Sequence, residues 1–105
     1  MYEYKAKVTD IIDGDTIKVD IDLGFGIYYY NQTVRLARIN CPELKTTEGK
    51  TVANIITGKL LNKDIVVKTK KDKKEKFGRY LGEIFLDDIN INNWLVENNY
   101  ATTYN

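Results

Sequence analysis

Residues 41–61, CPELKTTEGKTVANIITGKLL, decide the fold. Pro42 cannot donate to a strand ladder, so a strand arriving at Cys41 ends there. From Glu48 the apolar spacing turns helical, with Val52, Ile55, Ile56 and Leu60 on one face. Gly58 weakens that pattern only slightly. A helix over Glu48–Leu61 is therefore predicted, and strand spacing lies on both sides of it.

Upstream, Tyr2, Tyr4, Ala6 and Val8 alternate with polar residues, the period of a half-buried strand. Asp13-Gly14 signals a turn. Ile17, Val19, Ile21 and Leu23 alternate with Lys18, Asp20 and Asp22 as a second strand, broken by Gly24-Phe25-Gly26. A third strand runs within Ile27–Ile39, marked by Val34, Leu36 and Ile39. Downstream, Ile65, Val66 and Val67 make a fourth strand and Tyr80–Leu86 a fifth, ended by an Asp87-Asp88 turn. The lysine-rich stretch Lys68–Lys76 between them reads as a loop. A short helix over Asn92–Asn98 centres on Trp94 and Leu95 and stops at Asn98-Asn99. The order is β-β-β-α-β-β-α, that of a five-stranded OB-fold barrel, a mainly β fold with helices (α+β). An SH3-like barrel does not normally carry a helix of this length between strands three and four. One domain over residues 1–105 is expected, because 105 residues leave no room for a second.

The chain has one cysteine and no histidine. That excludes an intrachain disulfide, a Ser-His-Asp triad, a Cys-His dyad and the usual Cys/His zinc sites. A metal, if used, is a hard cation on oxygen ligands. A general base, if used, is a carboxylate, lysine or tyrosine. Net charge is only +1, so the distribution carries the information. Asp10–Asp22 holds five aspartates against one lysine, and Lys68–Lys76 six lysines against one aspartate and one glutamate. An acidic spot can hold a cation while a basic stretch attracts a polyanion, although a lysine run can equally be a solvated loop. No apolar run reaches the roughly 20 residues needed to span a membrane. Met1–Lys5 lacks a signal-peptide pattern, so either a cytoplasmic protein or one relieved of its leader is expected.

Strands two and three are antiparallel, so the start of one lies near the end of the other. Asp15, Arg35, Asn40 and Glu43 should therefore converge at one end of the barrel. Phosphodiester hydrolysis asks for this mixture. A hard cation polarises phosphorus, guanidinium groups meet the developing charge, and a carboxylate takes a proton from water.

The blocks IDGDTI at 12–17, VRLARINCPE at 34–43 and FGRYLG at 77–82 resemble, in order and approximate spacing, three signature blocks of the staphylococcal nuclease (thermonuclease) family. The likeness runs from about Lys7 to Ala101. It implies a Ca²⁺-dependent nuclease acting on DNA or RNA, most readily on single strands, as a monomer without a membrane partner. Position by position, it makes Asp15, Asn40 and the backbone carbonyl of Cys41 metal ligands. Arg35 and Arg79 become the phosphate-binding arginines, both expected near solvent, and Glu43 the general base. Lys76 and Phe77 match substrate-binding positions, and Tyr104 another stacking face. The chain also departs from the family. Asn40 stands where a carboxylate is usual, and Phe77 where a tyrosine is familiar. The segment between Glu43 and the helix is short, the connection carrying Tyr28, Tyr29 and Tyr30 is long, and the 105 residues end before the family's third helix.

Each residue has a plainer alternative. Asp13 and Asp15 can merely shape a turn, Glu43 can be an ordinary exposed acid, and Arg79 can sit idle in a loop. Arg38 is expected to pair with a neighbouring acid. Tyr28–Tyr30 favour packing over base stacking. Trp94 is expected in the core and Cys41 to be inert. The competing functions are a silent nucleic-acid-binding module of the same fold and an accessory domain that holds a small anion. Retention of Arg35, Glu43 and Arg79 together favours catalysis.

Overall fold

The computed structural model describes residues 2–69 and 78–104. In chain order the elements are β1 (Tyr2–Asp13), β2 (Thr16–Asp22), β3 (Tyr28–Leu36), β4 (Ile39–Asn40), α1 (Thr47–Leu60), β5 (Asp64–Thr69), β6 (Tyr80–Leu86), β7 (Ile89–Asn90), α2 (Ile91–Glu97) and β8 (Thr102–Thr103). Five long strands run in the order β3-β2-β1-β5-β6. β3 then pairs in parallel with β6, Val34 opposite Tyr80 and Leu36 opposite Gly82, which closes the sheet. The result is the five-stranded OB-fold barrel with two helices that the element order predicts. β7 folds back on β6, and β4 pairs with β8 as a separate ribbon.

The strands form because alternate apolar residues point into the barrel. Ile17, Val19, Val34, Leu36 and Ile84 are all fully buried. Each such side chain removed from water contributes about 1.5–3 kcal/mol. Val52, Ile56 and Leu60 of α1 join the same core, as do Ile91 and Leu95 of α2. Thr46 starts α1 by accepting from the Gly49 N–H, and Asn90 starts α2 by accepting from Asn93. Asn99, at φ 62°, ends α2 in the left-handed conformation that asparagine tolerates.

Four details differ from the sequence pattern. β1 continues to Asp13 because two bulges, at Thr9 and Ile12, interrupt its alternation without ending its pairing with β2. Leu23 lies beyond β2 and is exposed. Lys68 belongs to β5 rather than to a loop, and pairs with Glu3 across the strands at 3.5 Å. Trp94 packs at the edge of the core, with the Lys59 ammonium 4.2 Å from its ring centroid, because α2 lies along the barrel's rim. The rest of the lysine-rich stretch, with Lys76 and Phe77, lies outside the described residues.

Candidate active site

The site is built where β1 turns into β2. Gly14 and Asp15 form a two-residue connection. The glycine is needed for close approach: a Cβ at Gly14 would stand 2.7 Å from Val52 Cγ1 and 3.0 Å from the Cys41 side chain. The turn is thereby pressed onto α1 and onto the segment that follows β4. The Asp15 carbonyl accepts from the Leu36 N–H at 2.8 Å, and Thr16 pairs with Arg35.

Pinned this way, the Asp15 side chain is nearly buried. Its Oδ2 accepts from the Cys41 N–H at 2.8 Å and lies 3.4 Å from Arg35 Nη2. Its Oδ1 accepts from the Thr16 hydroxyl at 3.3 Å. Arg35 Nη2 also donates to Asn40 Oδ1 at 2.7 Å, and Nη1 to the Leu36 carbonyl at 2.7 Å. The guanidinium thus bridges the carboxylate and the amide oxygen. The Arg35 side chain is only 12% exposed, so it is set into the structure rather than lying near solvent as expected. Burial pushes the Asp15 carboxyl up to about 6, and a hydrogen bond shared with Asp13 adds to this. The Cys41 N–H and the Arg35 charge pull the other way.

The Glu43 side chain takes no part in this hydrogen-bonded cluster. Its carboxylate is exposed and pairs with Lys45 Nζ at 3.2 Å. Its backbone is fixed instead: the Glu43 carbonyl accepts from the Thr46 N–H at 2.9 Å and from the Thr46 hydroxyl at 2.7 Å. Gly49 of α1 packs against that same carbonyl so closely that a Cβ would overlap it. Arg79 is half-buried and directly precedes β6. Leu81 pairs with Arg35, so the strand alternation carries position 79 onto Arg35's face of the sheet. Tyr104 donates its N–H to the Arg38 carbonyl, while Thr102 pairs with Asn40.

The remaining candidates resolve as structural parts. Arg38 pairs with both Glu83 oxygens, at 2.8 and 2.6 Å, and with Asn93. Its hydrogen bonding to Glu83 raises its pKa. The half-buried Cys41 thiol is pushed up to about 12, by burial first and then by the nearby aspartates, so it stays neutral and inert. Tyr28, Tyr29 and Tyr30 are exposed rather than packed. A bulge at Tyr30 and Asn31, with Asn31 at φ 58°, ends the core-facing alternation of β3 on that side. One residue passed unnoticed in the sequence. Asn92 is fully buried, donates to the carbonyls of Ala37 and Gly82, and accepts from the Ile84 N–H. It ties the end of β3 to β6, and an asparagine at a helix start carries no signal of that task.

The donor chemistry fits a hard cation. The Asp13 carboxylate adds to the cost of ionising Asp15, a repulsion that a divalent ion relieves. Among the described residues no three Asp, Glu or Cys side chains cluster as a metal group. The further oxygens on offer, Asn40 Oδ1 and the Cys41 carbonyl, are neutral, and calcium accepts both kinds.

A closed five-stranded barrel with a carboxylate–guanidinium–amide cluster at one end of β2 and β3 defines an OB-fold domain with a polar site at the barrel's rim. Residues 33–105 match the staphylococcal nuclease homologue family, and the chain belongs to it. It is 31% identical over 104 residues to an uncharacterized protein of Bacillus anthracis, covering 92% of this chain and 46% of that one. An uncharacterized protein of Methanocaldococcus jannaschii is 28% identical over 123 residues, covering 96% and 59%. Endonuclease YhcR of Bacillus subtilis is 30% identical over 116 residues, covering 97% of this chain and 9% of that protein. The chain therefore spans about half the length of two relatives and under a tenth of the third.

Proposed function

We propose that this domain is a Ca²⁺-dependent endonuclease of the thermonuclease type, hydrolysing phosphodiester bonds of DNA or RNA with a preference for single strands and acting as a monomer. The observation that carries this reading is the Arg35 guanidinium held between Asp15 and Asn40, in a chain that belongs to a nuclease family. Arg35 carries five N–H donors, and those not engaged by Leu36, Asn40 and Asp15 would bind the substrate phosphate. Arg79 would approach the same phosphate from the segment just before β6 and meet the charge that grows as the bond to the leaving 5′ oxygen breaks. Glu43 takes a proton from the attacking water, which requires it to leave Lys45, an exposed pair worth about 0–1 kcal/mol. Asp15, Asn40 and the Cys41 carbonyl would hold calcium, which when bound supplies Lewis-acid polarisation of the phosphate. Lys76, Phe77 and Tyr104 would contact flanking parts of the substrate.

A second reading, a nucleic-acid-binding module without catalysis, draws on the exposed Glu43 carboxylate and its pairing with Lys45 rather than with the Arg35 cluster. Incubation of single-stranded DNA at alkaline pH, with Ca²⁺ or with chelator, separates the two. Cleavage that depends on Ca²⁺ and is lost in Glu43→Gln supports the nuclease. Binding of DNA and Ca²⁺ without cleavage establishes the module.

A further inference from the structure

The opposite end of β2 and β3 carries a second feature that the proposed reaction does not use. A groove of about 750 Å³ runs over the outer face of the sheet there. Asp22, on its wall, is seven residues along the chain from Asp15, roughly 20 Å of extended strand.

Its floor is laid out in cross-strand rows. One row runs Tyr28, Asp22, Lys5, Val66 and Phe85 across the five strands. The next places Lys7 between Asp20 and Asp64. The turn residues Asp87 and Asp88 stand at the rim. Among the described residues, six carboxylates and three lysines line the groove. Lys68 is committed to Glu3 and lies over the Phe85 ring, 4.5 Å from its centroid. Lys7 is flanked by acid on both sides. The charge that the described residues place around the groove is therefore net negative, which repels a polyanion, in contrast to what a nucleic-acid surface needs.

Two aromatic rings complete the groove. Tyr28 and Tyr30 are 47% and 64% exposed, and their rings stack 5.8 Å apart. Asp20 accepts from the Asn31 N–H and Asp22 from the Gly24 N–H, both at 2.8 Å, which fixes each carboxylate beside the rings. Fixed carboxylates next to exposed tyrosine faces match one chemistry well. A guanidinium stacks on an aromatic face and binds carboxylate with two parallel hydrogen bonds.

We infer that this groove docks an extended, arginine-bearing segment of a protein partner, its guanidinium groups placed between the Tyr28–Tyr30 stack and the surrounding aspartates. Docking there leaves Asp15 and Arg35 open, so the inference stands apart from the proposed reaction.

Fluorescence anisotropy with a short labelled peptide of alternating arginine and glycine tests it, against a glutamate–glycine peptide and a short oligothymidylate. The parent protein should bind the arginine peptide, more weakly as salt rises. Tyr30→Ala and the combined Asp64→Asn, Asp87→Asn, Asp88→Asn variant should each weaken binding about tenfold or more. Both variants should fold, since Tyr30 is exposed and asparagine tolerates the positive φ of Asp87 and Asp88. Arg35→Lys should bind the peptide like the parent. Failure of the parent to bind, or equal binding by the groove variants, overturns the inference. So does oligothymidylate binding that Tyr30→Ala abolishes, since the groove would then take bases.

Discussion

Gly49 packs its α-carbon against the carbonyl of Glu43 with no room for any side chain between them. This contact fixes the Cys41–Thr46 segment against the first turn of α1, where Thr46 caps the helix through the Gly49 N–H at 2.9 Å. A glycine inside a helix normally costs about 1 kcal/mol relative to alanine. Here the close approach outweighs that propensity.

Gly49→Ala should therefore destabilise the protein in spite of the better helix former. Overpacking of this kind costs about 1–3 kcal/mol. Gly58→Ala is the matched control, because a Cβ there meets nothing within 4 Å on an exposed helix face. It should stabilise by about 0.5–1 kcal/mol. Urea denaturation of both variants checks the pair. If Glu43 serves as the base, Gly49→Ala should also lower turnover beyond what its unfolded fraction explains.

The Asp15 carboxyl, raised from 3.8 to about 6, makes a pH prediction for the metal-free protein. A raised folded pKa means that the folded state holds the proton more tightly than the unfolded one. Its stabilising contribution is complete below the unfolded value near 3.8, falls as pH rises, and is gone above about 6. Relative to parent, Asp15→Asn should remove this loss, on the order of 2–3 kcal/mol between about pH 4 and about pH 8. Its amide oxygen can still accept from the Cys41 N–H. Denaturation of both forms in chelator at the two pH values measures the difference. A parent that gains stability over the variant toward pH 8 would show that the Arg35 attraction outweighs burial.

Arg35 and Arg79 should separate under substitution. Arg35→Ala removes the counter-charge of Asp15 and the hydrogen bonds to Leu36 and Asn40, a loss of about 1.5–3 kcal/mol. Arg35→Lys keeps the charge and should fold while losing the bridge to Asn40. Arg79→Ala should cost less stability, since Arg79 sits outside β6 and is only half-buried. For a phosphate clamp, turnover should fall by about 10²–10³ in both Arg35→Lys and Arg79→Ala. Cleavage at the parental rate by either folded variant removes that arginine from the mechanism.

The parts of this molecule that sequence reveals are those where one physical rule acts alone. Ile17, Val19 and Ile21 alternate because β2 has one face in the core, so period two shows directly. Tyr80–Leu86 appears with its true bounds because the left-handed residues Asp87 and Asp88 make the two-residue hairpin turn that ends it. Asp15 and Arg35 are predicted neighbours because antiparallel pairing of β2 and β3 demands it. Where two rules meet, the pattern is lost. The bulges at Thr9 and Ile12 hide half of β1. Strand propensity places Tyr28–Tyr30 in a packed sheet, yet that end of β3 projects past the core. The Gly49–Glu43 contact and the Asn92 hydrogen bonds join residues distant in sequence or structure, and no local spacing encodes them.

Asn40 is the position where this chain departs most clearly from the family's carboxylate. Asn40 is exposed, and its Oδ1 accepts at 2.7 Å from Arg35 Nη2, the same nitrogen that lies 3.4 Å from Asp15 Oδ2. Asn40→Asp would put a second carboxylate on a guanidinium that already faces one. Without metal, the new charge repels Asp15 but is drawn to Arg35 between them, and an exposed pair of this kind is worth about 0–1 kcal/mol. Metal-free stability should therefore stay within about 1 kcal/mol of the parent. With Ca²⁺ the balance changes, because an anionic ligand replaces a neutral one opposite a divalent ion. Binding should tighten about tenfold, on the order of 1.4 kcal/mol, and cleavage at limiting Ca²⁺ should rise in step. Calorimetric titration of both forms with Ca²⁺ measures the first effect, and initial rates across a Ca²⁺ series the second. Unchanged or weaker binding in the variant would mean that position 40 contributes no ligand. The cation would then have to be assigned to Asp13, Asp15 and the Cys41 carbonyl, with Asn40 serving only to hold Arg35.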